Sequence, residues 1–215
     1  MEAFTVVRGP AAPLMLADVN TDVISPAHSG KGSMALSAFA PLRYLADGTD
    51  DPSFVLNRKQ FVGAPILLAA QNFGCGSSRE SAVWSLRALG IRCVIAVSFG
   101  DIFFGNCFQN GVLAIVLDGA VLESLADEAA DGAALEVDLR ASVVWSPRGS
   151  SIPFTVSPLR RRQLLEGLDD LDAGLLRRDE IRSFQKSDRG RRPWIYEITD
   201  QAAIPWVSSA SPRHP

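Results

Sequence analysis

Short apolar runs, separated by a stretch of helical periodicity, dominate the middle of the chain. Residues 65–70 and 91–97 are almost continuously apolar, which is typical of strands buried on both faces. Between them, residues 78–89 carry apolar side chains at helical spacing, and Gly90 supplies a stop signal. This order predicts a strand–helix–strand unit whose strands are parallel and whose connection is right-handed.

Weaker patterns on either side predict the rest of an α/β fold. Further strands are predicted at residues 4–7, 14–17, 112–117, 134–139, 142–145 and 152–156. Further helices are predicted at residues 101–109, 121–129, 158–168 and 176–186. The last three strands follow one another with a turn signal at 147–150, so they are expected to form an antiparallel meander. The sheet is therefore predicted to be mixed.

The domain organisation follows from where these patterns stop. We predict one folded domain over residues 1–186 and a C-terminal extension over 187–215, which is polar and interrupted by four prolines. The extension is expected either to be irregular or to dock on a partner through its aromatic side chains, Trp194, Tyr196 and Trp206. Residues 25–53 are long for a plain connection, and such loops are usually functional.

Composition and charge exclude several classes of protein. Apolar residues make up 47% of the 215 residues, but no run approaches the roughly 18 residues that cross a bilayer. The net charge of −3 and the absence of a large basic block argue against nucleic-acid binding. The three cysteines form no C-x-x-C pair, so no metal site of this chain is predicted, and they suit a reducing cytoplasm.

Candidate chemistry concentrates in residues 72–80, N-F-G-C-G-S-S-R-E, which follow a predicted strand and open a predicted helix. The glycines let the backbone approach a ligand closely, and the helix start offers free N–H groups. Arg79 can bind a carboxylate through two parallel hydrogen bonds. A serine is too weak an acid to serve as a base unaided, but N–H groups and a guanidinium can stabilise the alkoxide of Ser77.

The motif alone leaves other interpretations open. Ser77 and Glu80 have the spacing of a capping box, which needs no ligand. The glycines are also similar to the phosphate loop of nucleotide-binding folds. That interpretation usually requires an acidic residue at the end of the next strand and a G-x-G-x-x-G pattern, and the chain has neither. A serine–histidine–aspartate triad has no supporting signal around His28.

Several separated segments, taken in order, resemble one known family, the small subunit of 3-isopropylmalate dehydratase, which is the swivelling domain of the aconitase superfamily. Besides residues 72–80, the matching segments are N-T-D-V-I-S-P at 20–26, F-V-L-N at 54–57, V-I-A-V-S-F-G-D-I-F at 94–103 and G-N-C-F-Q-N-G at 105–111. The resemblance covers roughly residues 1–195. It implies an aconitase-type swivelling domain with layered β/β/α architecture.

The resemblance also implies an activity and a partner. The family's enzymes are hydro-lyases in which a large subunit carries a [4Fe-4S] cluster, and the two subunits form a heterodimer or heterotetramer. The chain is thus expected to be active only with that subunit, isomerising a 2-substituted malate by dehydration and rehydration. The expected reaction is conversion of 2-isopropylmalate to 3-isopropylmalate in leucine biosynthesis.

Roles for individual residues come with the same resemblance. Ser77 would be the base that removes a carbon-bound proton, and Asp22 would be the second catalytic residue, tuning or orienting the loop. Arg79 would hold a substrate carboxylate. The resemblance places three further residues against the substrate: Ser78, Ser25 and Gly76.

Departures from the family pattern bear on the substrate. Ser25 stands where the leucine-pathway enzymes usually have isoleucine, residues 27–34 match poorly, and Ser81 replaces a common histidine. A paralogue acting on another 2-alkylmalate or an arylalkylmalate therefore remains an alternative, as does contact of His28 or the 26–50 loop with substrate. A non-catalytic relative is disfavoured because Ser77, Arg79 and Asp22 are all present.

Overall fold

Seven strands form one sheet in the computed structural model, which describes residues 1–27 and 32–200, with side chains to residue 196. The strands are β1 (Val6–Leu14), β2 (Ile66–Ala69), β3 (Cys93–Ala96), β4 (Leu113–Val116), β5 (Ala134–Asp138), β6 (Val143–Trp145) and β7 (Ser151–Pro153). Their order in the sheet is β4-β3-β2-β1-β5-β6-β7.

The helices connect these strands and extend the chain beyond them. Those before β4 are α1 (Thr21–Ile24), α2 (Met34–Ser37), α3 (Ala40–Arg43), α4 (Ser81–Ala88) and α5 (Asp101–Gln109). Those after it are α6 (Gly119–Ala129), α7 (Pro158–Glu166), α8 (Asp170–Leu176), α9 (Arg178–Arg191) and α10 (Pro193–Asp200). Two 3₁₀ turns, Val55–Asn57 and Lys59–Phe61, lie between α3 and β2. In the part of the chain that the structure describes, each helix is too short or too polar to span a bilayer.

The sheet is mixed, as predicted. Strands β1 to β4 pair in parallel, and β5 to β7 pair antiparallel. The predicted strand–helix–strand unit is β2–α4–β3, and the predicted meander is β5–β6–β7. The parallel pairing of the first and the antiparallel pairing of the second are confirmed. All residues of β2 and β3 are buried, which explains why their sequences are uniformly apolar rather than alternating.

The first strand differs from its prediction. Instead of two short strands at 4–7 and 14–17, the structure has one strand, β1. Residues 6–10 pair with β5 and residues 11–14 pair with β2, so each half forms its ladder on one side only. A strand that is bonded on one side tolerates proline, because the missing N–H can face away from the ladder. Pro10 and Pro13 therefore do not break β1.

Two compact units divide the chain, Met1–Asp170 and a second that starts at Leu171. In the second unit, the buried Asp188 accepts hydrogen bonds from Arg192 Nε (2.8 Å) and the Tyr196 hydroxyl (3.1 Å), tying α9 to α10. The hydrogen bond from Arg192 lowers the pKa of Asp188. The described part of the extension, 187–200, is thus helical rather than irregular, whereas partner docking and the boundary at 186 stay predictions. Residues 201–215, including Trp206, lie outside the described residues.

Candidate active site

The glycine motif forms a loop that leaves the carboxyl end of β2. Phe73 in this loop is bonded on both sides to the segment that leaves β3, since its N–H donates to Ser98 O (3.0 Å) and its carbonyl accepts from Gly100 N (2.9 Å). The Gly74 N–H donates to Val19 O at 2.7 Å, which ties the loop to the segment after β1. The carboxyl ends of parallel strands meet at one edge of a sheet, so three chain segments converge here.

At Gly74, both the backbone conformation and the close packing disfavour any side chain. Its φ is +75°, in the left-handed region, and a Cβ built on it would lie 2.2 Å from the Phe103 ring. Phe103 lies on α5 and is buried. The ring also packs edge-on against Phe73, with centroids 5.5 Å apart. The loop is therefore set by close packing on α5 as well as by hydrogen bonds.

A Gly74→Ala substitution is expected to destabilise the chain by about 2–4 kcal/mol, because the methyl group adds a clash with a buried ring to an unfavourable φ. Gly105→Ala is the matched control, since Gly105 lies in the same helix as Phe103 and a Cβ there meets nothing within 4 Å. That control should be neutral or slightly stabilising. Chemical denaturation measures both variants, and equal effects would contradict the packing argument.

Residues 20–22, N-T-D, contribute the second group of residues in the candidate site. Asn20 caps α1, its side chain accepting from Val23 N at 2.9 Å, and Asp22 lies in the first turn. The Thr21 N–H donates to Cys75 O (2.9 Å), so α1 begins directly beside the glycine loop. The polar residues that start this short helix are therefore held against residues 75–77.

Ser77 receives hydrogen-bond donors from two directions. Its Oγ lies 2.7 Å from Thr21 Oγ1 and accepts from Arg79 Nε at 3.0 Å. The Ser77 N–H donates to Thr21 Oγ1 (3.2 Å), which leaves the Thr21 hydroxyl proton free to point at Ser77 Oγ. Thr21 is fully buried and Ser77 is half-buried. The arrangement favours negative charge on the Ser77 oxygen.

Arg79 links Ser77 to Asp22. While its Nε donates to Ser77, its Nη2 forms an ion pair with the Asp22 carboxylate. The side chains of Arg79 and Asp22 are 34% and 64% exposed, and an ion pair this exposed adds little stability. Its effect is to orient the guanidinium. Ser77, Arg79 and Asp22, all predicted to form the site, are thus brought together.

The predicted start of the helix and the capping-box interpretation are both wrong. Helix α4 begins at Ser81 rather than Ser78, with Glu80 as an N-cap that makes no side-chain cap hydrogen bond. Glu80 Oε1 instead accepts from Asn110 Nδ2 at 2.7 Å. The hydroxyl of Ser77 is engaged by Thr21 and Arg79, so partners from elsewhere in the fold replace the local ones. Ser77 therefore precedes the helix, and its stabilisation comes from side chains.

The remaining predicted site residues lie around this cluster. Ser25 ends α1 and its Oγ donates to Ser81 Oγ at 3.3 Å, linking α1 to the start of α4. Gly76 and Ser78, which flank Ser77 in the loop, are both exposed. His28 lies outside the described residues. The structure places Gly76 and Ser78 next to Ser77 in the chain and Ser25 beside the start of α4, without assigning them a ligand.

Thr21 is the residue that sequence reasoning missed. It stands beside Asp22 in the N-T-D segment, yet a threonine in a polar segment carries no chemical signal of its own. Its contact with Ser77 becomes visible only when α1 is placed against the glycine loop, where Thr21 supplies a buried hydroxyl 2.7 Å from Ser77 Oγ. A polar residue at the start of a short helix, adjacent to a predicted catalytic carboxylate, is the signal that could have identified it.

The cysteines and acidic residues do not form a metal site in the described part of the chain, where no group of three or more His, Cys, Asp or Glu side chains is arranged to hold an ion. Cys75, Cys93 and Cys107 are free thiols. Burial raises the pKa of Cys93 and Cys107 well above the usual range, so neither is poised to form a thiolate.

Comparisons with known proteins point in one direction. A family model described as the aconitase C-terminal domain matches residues 1–120. The 3-isopropylmalate dehydratase small subunit of Cupriavidus necator is 48% identical over 206 residues, covering 91% of this chain and 99% of the relative. The small subunit of the same name from Xanthobacter autotrophicus is 44% identical over 201 residues, covering 91% of this chain and 100% of the relative. A crystal structure of 3-isopropylmalate dehydratase from Methanocaldococcus jannaschii has a TM-score of 0.59 at 27% identity, covering 84% of this chain and 99% of that one.

Proposed function

The chain belongs to the family of 3-isopropylmalate dehydratase small subunits, and from this membership and the geometry of the site we propose that it interconverts 2-isopropylmalate and 3-isopropylmalate together with a large subunit. The enzyme is a hydro-lyase that acts in leucine biosynthesis. The observation that carries the proposal is the Ser77 oxygen, half-exposed and within hydrogen-bond distance of both Thr21 Oγ1 and Arg79 Nε.

Ser77 is proposed to take the carbon-bound proton during dehydration and to return it during rehydration. An alkoxide at this oxygen is stabilised by the Arg79 guanidinium and by the Thr21 hydroxyl. The stabilisation increases when water is excluded, because charge interactions strengthen in a medium of lower dielectric. A partner that closes over the loop would supply that exclusion.

Arg79 is proposed to bind a substrate carboxylate while it supports Ser77. A guanidinium has five N–H donors, and Ser77 and Asp22 engage two of them in the structure. Counting only contacts with residues 1–27 and 32–200, three donors therefore remain for a carboxylate, and Asp22 keeps the fork from rotating. The proposal extends to Ser78, Ser25 and Gly76, which border the cluster and would complete the substrate contacts.

The partner is proposed to be the large subunit, which would carry the [4Fe-4S] cluster. In such enzymes the open iron supplies a Lewis acid for the substrate hydroxyl and carboxylate. We also propose a cytoplasmic location, because the three cysteines are free thiols.

The names of the relatives support isopropylmalate as substrate over another 2-alkylmalate or an arylalkylmalate. The test is anaerobic reconstitution with the large subunit, followed by assays on a panel of 2-substituted malates. The proposal expects the lone chain to be inactive and the complex to have its highest kcat/KM with 2-isopropylmalate. A complex that preferred another malate, or a lone chain active with a nucleotide cofactor, would contradict it.

Thr21→Val is expected to lower kcat by about 10- to 100-fold with little change in KM, because valine keeps the shape of threonine but removes the hydroxyl from Ser77. Thr21→Ser keeps the hydroxyl and should recover most of the activity. Steady-state kinetics of the reconstituted complex compare the two variants. A valine variant as active as the serine variant would show that Thr21 does not support Ser77.

A further inference from the structure

The indole of Trp84 is both exposed and fixed in place. Trp84 lies on α4, and 44% of its surface is exposed. Its Nε1 donates to Asn110 Oδ1 at 2.9 Å, and the Asn110 amide in turn donates to Asn106 O at 2.9 Å. The polar edge of the indole is therefore satisfied within the chain, and what remains open is largely apolar ring.

Trp84 is also connected to the candidate active site. The same Asn110 amide donates to Glu80 Oε1 (2.7 Å), and Glu80 directly follows Arg79. Helix α4, which carries Trp84, starts at Ser81, whose hydroxyl accepts from Ser25. Trp84 therefore lies one helical turn after Ser81, the first residue of α4.

Two further apolar side chains are exposed on the adjoining helix. Helix α2 packs against α4 and carries Met34 and Leu36, which are 41% and 47% exposed. Single exposed apolar residues are common on protein surfaces and need no explanation. Here three such side chains lie on two helices that pack together, and α4 begins directly after the loop that carries Ser77.

We propose that Met34, Leu36 and Trp84 form an apolar border along one side of the site and that this border is a docking surface for the large subunit, with Trp84 as its main anchor. The inference rests on the proposed function, in which a second protein covers the half-exposed Ser77. A protein that closes over Ser77 must also meet the start of α4, so the border continues the surface that has to be covered. Tryptophan is the side chain most enriched among residues that dominate binding energy, and a fixed indole loses little rotamer freedom on binding.

The test is the dissociation constant of the complex, measured anaerobically by biolayer interferometry with immobilised large subunit. Trp84→Ala is expected to weaken binding by about 30-fold or more, the size of a hot-spot substitution. Trp84→Phe keeps most of the ring and should weaken it less. Trp145→Ala is the matched control: Trp145 is 43% exposed but lies on β6, several strands away from β2, and its removal should leave the constant within about threefold.

The outcomes separate this inference from the proposed function. If the unmodified chain binds the large subunit and Trp84→Ala binds equally well, the docking surface is wrong while the proposed function stands. If Trp84→Ala keeps its dissociation constant but raises KM, the border contacts substrate instead, which also overturns the inference. A folded, unmodified chain that forms no complex would overturn both. Circular dichroism and thermal unfolding check that each variant is folded.

Discussion

We expect a Ser77→Ala variant, reconstituted with the large subunit, to lose about 10³- to 10⁴-fold in kcat while its KM changes little. Alanine removes the oxygen that accepts from Arg79 Nε at 3.0 Å and lies 2.7 Å from Thr21 Oγ1. The variant therefore has no oxygen at this position to take the proton. Substrate binding should persist because Arg79 and Asp22 remain. Steady-state kinetics of the reconstituted complex measure both constants.

The control for this prediction is Ser151→Ala. Ser151 is exposed on β7, the edge strand at the opposite end of the sheet order from β4, so losing its hydroxyl should change neither constant. Affinity for the large subunit should be the same for both variants. A Ser77→Ala enzyme with kcat within a few-fold of the unmodified one would show that another group is the base.

Replacing Arg79 with lysine is expected to reduce kcat/KM by about 10²- to 10³-fold, although the charge is kept. Lysine has a single ammonium group, so it cannot donate to Ser77, pair with Asp22 and bind a carboxylate as a planar fork does. Both constants should therefore suffer, with KM rising from the lost carboxylate contact and kcat falling from the lost support of Ser77. Initial rates over a range of substrate concentrations separate the two effects.

Arg162→Lys provides the comparison for the arginine substitution. Arg162 pairs with Glu166 across one turn of α7, with side chains 63% and 46% exposed, and such surface pairs contribute little. This variant should match the unmodified enzyme. If Arg79→Lys did so as well, the guanidinium would be no more than a source of charge, and its proposed contacts with Ser77 and the substrate would be wrong.

The central part of the fold was predictable because its patterns are local and strong. The buried runs of β2 and β3, with an amphipathic helix between them, allow few alternatives, and the meander follows from alternation and a turn signal. The C-terminal helix α10 was missed because Pro193 was taken as a break. Proline is also favoured in the first turn of a helix, where its missing N–H is not needed, and α10 begins at this residue.

The clustering of the predicted site residues could be anticipated from the sequence, but their hydrogen-bond partners could not. Ser77, Arg79 and Asp22 were identified from sequence, and the structure places them in contact. The start of α4 was mispredicted because the capping hydrogen bonds expected between Ser77 and Glu80 do not form. Partners distant in sequence replace them, Asn110 for Glu80 and Thr21 for Ser77. Whether local or distant hydrogen-bond partners are used depends on tertiary packing, which a local sequence pattern does not reveal. Thr21 escaped notice for the same reason.

The most direct test follows the carbon-bound proton itself. With 2-isopropylmalate deuterated on the methylene carbon between the hydroxyl-bearing carbon and a carboxylate, mass spectrometry of product fragments locates the deuterium. It therefore reports cleavage of the carbon–deuterium bond by the reconstituted complex even where the deuteron is returned to the neighbouring carbon. We predict that the unmodified complex breaks this bond. The Ser77→Ala complex should bind the substrate with similar affinity but break the bond only at the background rate. Cleavage by the Ser77→Ala complex at the unmodified rate would contradict the claim that this serine moves the proton.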